Sequence, residues 1–419
     1  MNVLMFGWEF PPLNTGGLGT ACYGLTKGLS QNGVSITLVL PQAAADAEKS
    51  EKFGFLKIRN ANIANVKVKS VKSAMVAYMN PSDYMQYMLR VKGKKSIYGS
   101  NLFDEVERFA RQAAIIAKEE IREGFDIIHA HDWMTYKAGL AAKRVSGKPL
   151  VVHVHATEFD RTGGLGRNEY VYNIEKEGME KADAVITVSN YTKQKVMENY
   201  GIPESKIRVV HNAIDRDDIP QIDQVDSGKS PGSNTSGTKT VLYLGRITLQ
   251  KGPDYFIAAA KKALEADPNI RFIIAGSGDM EPRIIEKAAE LGIGHNVLFS
   301  GFLRDEEIHK AYRMADLYVL PSVSEPFGIT PLEAVMNHTP VIVSKQSGVK
   351  EVLKHCLQVD FWDIDQMANK MIAALKYKEM HSELQRNSYE EVSKLSWSRS
   401  AQRCIEVYNS VLSAGKALS

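Results

Sequence analysis

The sequence predicts an α/β protein made of two doubly wound parallel-sheet domains. Three observations carry that reading. Short runs of Val, Ile and Leu alternate with amphipathic stretches along the whole chain. The runs are continuously apolar, as strands buried on both faces are, and do not alternate in polarity. Near the middle lies a stretch crowded with Ser, Gly, Asp and Pro that lacks apolar periodicity. At 419 residues the chain also exceeds what one core usually covers, so length alone favours two domains.

In the first half, strands are expected at 2–7 (NVLMFG), 35–40 (SITLVL), 126–131 (DIIHAH), 150–155 (LVVHVH), 184–189 (AVITVS) and 207–212 (IRVVHN). In the second half they are expected at 240–245 (TVLYLG), 270–276 (IRFIIAG), 296–301 (NVLFSG), 316–321 (DLYVLP) and 340–344 (PVIVS). Helical patterns such as DYFIAAAKKALEA and MEPRIIEKAAEL fill the gaps and supply the crossovers that parallel strands require. The domains are expected at 1–215 and 240–394, joined by a flexible linker at 216–239 and followed by a segment at 395–419. Two such domains facing each other leave a cleft at the carboxyl ends of their strands, where open α/β sheets bind ligands.

The net charge of +3 is too small to argue for a nucleic-acid partner. Three well-separated cysteines, Cys22, Cys356 and Cys404, read as reduced thiols, with neither metal-site nor disulfide spacing. Met1 leads straight into an apolar run without a basic leader, and no stretch approaches eighteen apolar residues. A cytoplasmic protein is expected. Between Lys49 and Lys95, eleven Lys/Arg stand against two acids, a local charge of +9. That segment reads either as a solvated insertion or as a contact for an anionic polysaccharide or membrane surface.

The stretch PSVSEPFGITPLEAVM (321–336) holds two acids, Glu325 and Glu333. Thr330, Pro331 and Glu333 fit an N-cap, a first helical proline and a capping-box acid. Glu325 precedes that cap in a loop broken by Pro326 and Gly328, so the acids belong to different elements. Such a helix start can hold a phosphate. Arg246 and Lys251 follow the strand at 240–245. They read either as a solvated loop or as a donor fork and point charge on a diphosphate; the nearby helix start favours the second. The loops at Gly276–Gly278 and at Phe302 can frame a flat base or serve as plain βα turns.

In the first domain, WEFPPLNTGGLGTA (8–21) is no dinucleotide fingerprint, because the glycine spacing is wrong and the turn too long. Gly16 and Gly17 either let backbone approach a ligand or serve chain geometry alone. His153 reads as a satisfied core residue, whereas His155 ends its strand where an imidazole can meet a sugar hydroxyl. Asp132 and Trp133 sit at another strand end and can grip a hydroxyl and stack on a sugar ring, with structural roles equally open. No metal-ligand spacing accompanies these residues, so neither metal nor cofactor is expected.

GRITLQKG, AGSGDM and SEPFGITPLEAVM together resemble the second domain of retaining GT-B glycosyltransferases, especially family 4, whose signature is two glutamates separated by seven residues. MNVLMFGWEFPPLNTGGLGTACYGLTKGL and IIHAHDWMT are similar to the first domain of the same enzymes, with a flavour of bacterial and archaeal glycogen synthases. LSWSRSAQRCIEVY (395–408) resembles the closing helix that crosses back to that domain. The resemblance implies a GT-B fold and transfer of a sugar, glucose as first choice, from a nucleotide diphosphate sugar with retention at the anomeric carbon. It implies that Arg246 and Lys251 bind the diphosphate and that Glu333 binds ribose, with Glu325 near the donor sugar. Backbone at Gly328, Ile329, Thr330 and Leu332 then serves the sugar and phosphates, Gly16 and Gly17 cover the diphosphate, and Gly278 and Phe302 belong to the donor site. His155 stands by the sugar and the reacting centre, and no metal is implied. The acceptor is a carbohydrate, an α-glucan as in glycogen synthases or a cell-surface polysaccharide or glycolipid. Asn14 and Thr15 stand where glycogen synthases acting on ADP-glucose carry Lys-x ahead of Gly-Gly, which leaves UDP-sugars at least as suitable. A GT-B epimerase is the main alternative. A phosphorylase needs a pyridoxal-binding lysine pocket that the sequence does not identify, and a non-catalytic scaffold has no need of Glu325, Arg246 and Lys251 together.

Overall fold

A computed structural model describes residues 1–11, 16–41, 102–164, 166–219, 237–304 and 306–417, and the backbone of 57–60. The chain divides into two compact units. Unit 1 comprises Met1–Glu158, Arg167–Asn212 and Trp397–Ser419, and unit 2 comprises Phe159–Gly166 and Ala213–Ser396.

Unit 1 is built on a seven-stranded parallel sheet. Its strands are β1 (Asn2–Phe6), β2 (Ser35–Leu40), β3 (Lys57–Asn60), β4 (Ile127–His131), β5 (Leu150–Val154), β6 (Ala184–Thr187) and β7 (Ile207–Val209), in the order β3-β2-β1-β4-β5-β6-β7. The helices are α1 (Gly17–Gln31), α2 (Leu102–Glu123), α3 (Trp133–Ser146), α5 (Glu169–Lys181), α6 (Asn190–Tyr200) and α13 (Trp397–Ala417); the short α4 (Glu158–Arg161) leads into unit 2. β4 and β5 are buried along their whole length, as continuous apolar runs require. Side chains cap the helices where the chain turns: Ser189 accepts from the amide of Thr192, and Asn168 from those of Tyr170 and Val171. Two glycines let α13 lie close on α1. A Cβ at Gly24 would fall 2.1 Å from the Trp397 indole, and one at Gly28 would fall 2.3 Å from the Trp397 carbonyl.

Unit 2 repeats the plan with six parallel strands: β8 (Lys239–Leu244), β9 (Ile270–Ala275), β10 (Val297–Gly301), β11 (Leu317–Leu320), β12 (Val341–Ser344) and β13 (Leu357–Val359). Their order is β10-β9-β8-β11-β12-β13. Helices α7 (Pro253–Ala266), α8 (Glu281–Glu290), α9 (Glu306–Met314), α10 (Thr330–Met336), α11 (Ile364–Lys376) and α12 (Lys378–Val392) flank it. Phe256, Phe272, Ile257, Ile274, Leu317 and Val319 join sheet and helices in one core.

Both sheets reverse direction of winding between their first and fourth strands, β1/β4 and β8/β11. In a doubly wound sheet, ligands bind at the carboxyl ends of such a pair. Every strand expected from the sequence forms, with ends displaced by up to three residues, and β3 and β13 are additional. No helix among the described residues is long and apolar enough to cross a membrane. The basic segment 49–95 lies outside the described residues except for the backbone of 57–60, as do 220–236 of the expected linker.

Candidate active site

In unit 2 the loops leaving β8 and β11 meet at the switch point, and they carry the candidate cations and acids. A 3-10 turn at Leu249–Lys251 ends at Gly252, whose φ of 63° and close approach to the Pro321 carbonyl (2.2 Å from a built Cβ) suit only glycine. Gln250 is the joint between the two loops. Its Oε1 accepts from the Arg246 guanidinium at 3.1 Å, its Nε2 donates to the Ser324 carbonyl at 3.1 Å, and its carbonyl accepts from the Val323 amide at 2.9 Å. Lys251 donates to Glu325 Oε2 at 2.5 Å, and Ser322 Oγ donates to the same oxygen at 3.1 Å. Glu325 is 6% exposed and the Lys251 side chain 19%. Of the two readings of this loop, the solvated one fails for Lys251, which is held against a buried acid. Segment 159–166 completes this edge, with Ser324 Oγ donating to the buried Asp160 at 2.5 Å.

Glu325 and Glu333 do lie on different elements, one in the loop and one in the first turn of α10. The expected capping box does not form. Ile329 is the N-cap, and the amides of Leu332 and Glu333 are both taken by its carbonyl, at 2.8 and 3.0 Å. Two tyrosines claim the side chains instead. Tyr318 Oη lies 2.9 Å from Thr330 Oγ1 and 3.1 Å from the Leu244 carbonyl, while Tyr312 Oη donates to Glu333 at 3.0 Å. Burial, with the Glu333 charge adding to it for Tyr312, pushes both phenols up, so they remain protonated donors. Leu332 has no amide left for a phosphate, which corrects its expected role. The amides of Gly328, Ile329 and Thr330 take no partner among the described residues. Gly328 holds φ at 99°, a left-handed conformation that aims this backbone.

Beside them, the loops after β9 and β8 are laced together. Gly245 and Ile247 donate to Ala275 and Ser277, each at 3.0 Å, and a Cβ on Gly278 would lie 2.2 Å from the Ile247 carbonyl. Gly278 thus has a demonstrable structural duty. Phe302 follows β10 and is 60% exposed, with the Arg304 guanidinium 5.9 Å from its ring.

In unit 1, four imidazoles form a grid at the carboxyl ends of two neighbouring strands. His129 and His131 lie two apart on β4, His153 sits opposite His131 on β5, and His155 follows two residues later. Ring centroids are 4.2 Å apart for His129–His131 and 4.3 Å for His153–His155. Burial holds His129 down at about 3, and burial also pushes His131, His153 and His155 below the usual imidazole range, so the rings are neutral. His153 is not the satisfied core residue expected: neither ring nitrogen has a hydrogen-bond partner among the described residues. His155 Nε2 meets His131 Nδ1 at 2.9 Å and its Nδ1 is buried, so a sugar contact requires that pair to separate. Sequence spacing shows no metal-ligand set, but among the described residues the fold gathers two. One is His129, His131 and His153; the other is Cys22, His131 and His155.

Asp132 and Trp133 do not offer the surfaces expected of them. Asp132 is fully buried, adopts a φ of 59°, and its Oδ1 accepts from the amides of His155 (2.7 Å) and Ala156 (3.3 Å). Its carboxylate fixes the loop after β5. Trp133 is 4% exposed and meets Phe103 edge-on, as a core residue does. A Cβ on Gly16 would fall 2.9 Å from the Glu9 carboxylate, whereas one on Gly17 would meet nothing within 4 Å among the described residues.

Tyr312, Tyr318, Gln250 and Asp160 were not singled out by sequence reasoning. The tyrosines sit within apolar patterns that signal only burial, and the pairing of Gln250 with a loop seventy-four residues away has no local trace.

Residues 15–218 match the family model for Glycosyltransferase Family 4, and residues 229–391 match that for Glycosyl transferases group 1. The chain is 32% identical over 361 residues to an uncharacterized glycosyltransferase of Methanocaldococcus jannaschii, covering 85% of this chain and 83% of that one. It is 27% identical to the glycogen synthase of Mycobacterium tuberculosis, over 84% of this chain and 80% of the relative. Among solved structures, the sucrose-phosphate synthase of Thermosynechococcus elongatus superposes with a TM-score of 0.75 at 19% identity, covering 99% of each chain. Anabaena HepE, solved in complex with UDP and glucose, superposes with a TM-score of 0.71 at 17% identity, covering 98% of this chain and all (100%) of that one. By relatedness and by fold, the chain belongs to the group 1, family 4 glycosyltransferases of GT-B architecture.

Proposed function

We propose that this glycosyltransferase moves a glucosyl group from a nucleoside diphosphate sugar, UDP-glucose as first choice, to a carbohydrate hydroxyl with retention of the anomeric configuration. The observation that carries the reading is the tie of Lys251 to Glu325, and of Arg246 through Gln250 to Ser324, at the β8/β11 switch point. Leaving-group departure develops charge on the diphosphate. Arg246 supplies a planar fork, Lys251 a point charge, and the backbone at 328–330 a set of amides, all held before substrate arrives. These donors neutralise the diphosphate, so the reading assigns no divalent metal to that pocket. Glu333, fixed by Tyr312, accepts from the ribose hydroxyls.

In the retaining step, the C1–O bond to the phosphate breaks and the acceptor oxygen bonds C1 on the same face. The acceptor proton passes to the departing phosphate oxygen. Glu325 then acts by holding the Lys251 ammonium in place beside the donor sugar, and not as a nucleophile. His155 is assigned to a sugar hydroxyl, which it reaches by releasing His131. The likeness to glycogen synthase supports an α-glucan acceptor. The likeness at 27% identity to D-inositol 3-phosphate glycosyltransferase of Mycolicibacterium smegmatis, over 70% of this chain, supports a small phosphorylated acceptor as the second reading.

A thermal-shift panel of UDP-, ADP- and GDP-sugars, followed by product anomer analysis, tests the proposal. Stabilisation by a UDP-sugar and an α-linked product from an α-donor are expected. An inverted product, or indifference to every nucleotide sugar, overturns it.

A further inference from the structure

We propose that His129, His131 and His153 form a three-histidine site in unit 1 for a divalent transition ion of zinc-like preference. The three rings come from an i, i+2 pair on β4 and the cross-strand neighbour on β5, a pattern that directs them to one side of the sheet. All three are at most 1% exposed. One nitrogen from each lies within 4.8 Å of the others. Around a tetrahedral ion with Zn–N near 2.1 Å such nitrogens stand about 3.4 Å apart, a gap of about 1.4 Å at most. Because the rings are stacked at 6° and 28° to one another, they must also turn about their side-chain bonds to aim their lone pairs at one point.

The hydrogen bonds permit a tautomer of each ring that suits this set. A neutral imidazole has one N–H and one lone pair. Tyr408 Oη lies 2.6 Å from His129 Nδ1 and has Cys404 as a further hydrogen-bond partner. With the phenol proton on the cysteine side, His129 donates through Nδ1 and its Nε2 carries a lone pair with no protein partner. Likewise, His131 Nδ1–H donating to His155 Nε2 leaves His131 Nε2 bare. His153 can offer either nitrogen, since both lack partners. His129 and His131 thus keep their outer hydrogen bonds while their Nε2 atoms turn to the ion, as metal-binding histidines ordinarily do, and His153 joins them without one. The alternative set with Cys22 needs lone pairs from both His131 and His155. Their mutual hydrogen bond allows only one of those rings a second free lone pair, so that set forms only by breaking it.

The test uses untagged full-length protein from zinc-supplemented growth. About one zinc per chain is expected after gel filtration, and Co2+ added to chelator-treated protein should give the visible bands of a four-coordinate ion. His153→Gln removes a ligand without removing a hydrogen bond. It should lose the metal while keeping the parent far-UV circular dichroism. Tyr408→Phe removes the oxygen behind His129 and should weaken Co2+ binding by about 10- to 100-fold, which keeps the test alive if the first variant fails to fold. Parent protein without zinc and without Co2+ bands overturns the site. So does full metal retention by folded His153→Gln, or a thiolate-to-cobalt band that Cys22→Ser abolishes.

Discussion

The carboxyl edges of the two sheets share a strand order and hold their polar groups in opposite states. In unit 2 the candidate donors are already engaged: Arg246 with Gln250, Lys251 with Glu325, Tyr312 with Glu333 and Tyr318 with Thr330. In unit 1 five buried ring nitrogens of four histidines have no partner among the described residues. A buried polar atom left unmatched costs about 1–3 kcal/mol, so the second edge is a place where a ligand stabilises the fold. The first edge has its charged side chains tied to partners, leaves the Thr248 hydroxyl and the amides of 328–330 unmatched among the described residues, and offers a charge pattern set before anything arrives. The lesson is that a parallel-sheet switch point specifies where a site lies and not how its electrostatics are prepared.

The largest effect that would break this contrast comes from Lys251→Ala. Loss of one charge-assisted bond to a diphosphate is worth about 1.5–3 kcal/mol, which weakens UDP binding by roughly 10- to 150-fold. The same change strands Glu325 at 6% exposure without its counter-charge. A loss of about 3 kcal/mol in stability is therefore expected as well. Lys251→Met with Glu325→Gln separates the two effects, because it restores stability in denaturant titrations and leaves calorimetric UDP affinity low. Parental UDP binding by Lys251→Ala would reduce the network to scaffolding.

Next in size is Gly278→Ala. The added methyl meets the Ile247 carbonyl at 2.2 Å, backbone that cannot swing aside. Overpacking of this kind costs about 1–3 kcal/mol, read as a lower melting temperature. Gly17→Ala is the control: its methyl projects into open space, so the melting temperature should hold.

How far the sequence revealed these features follows from their range. Strands β4, β5, β8 and β11 were legible because buried Val, Ile and Leu dominate both of their faces, even where histidines or a leading Lys-Thr interrupt the run. β13 spans only Leu357–Val359, too short to stand out, and β3 carries Lys57 and Arg59 within four residues. Arg246, Lys251 and the split between Glu325 and Glu333 were legible because local turn chemistry places them at strand exits. The capping box failed because Tyr312 and Tyr318, twelve or more residues away, outcompete it. The histidine grid was missed for a related reason. His129 and His153 are twenty-four residues apart, and only strand register makes them neighbours.

Tyr312→Phe sharpens the contrast at a smaller scale. It removes the hydrogen bond that orients Glu333 and little else, since the ring stays against Tyr318 at 5.6 Å between centroids. A cost of about 1 kcal/mol, roughly fivefold in UDP affinity, is expected. Uridine-free diphosphate should bind the variant and the parent alike, because Glu333 is assigned to ribose and not to phosphate.

Chelation should have the smallest effect on nucleotide binding, and its value lies in treating the two edges separately. If Arg246, Lys251 and the amides at 328–330 neutralise the diphosphate, UDP affinity in EDTA and in Mg2+ differs by less than about twofold. Because UDP binds Mg2+ in solution, the comparison is made at fixed free UDP. An affinity gain of tenfold or more with Mg2+ would mean that the cations of unit 2 fall short of the diphosphate charge, and that its engaged network is incomplete without an ion. The same EDTA treatment, extended until bound metal is lost, should act on unit 1 alone, lowering the melting temperature while UDP affinity holds. A joint loss of both signals would show that the satisfied edge and the unsatisfied one are a single coupled system.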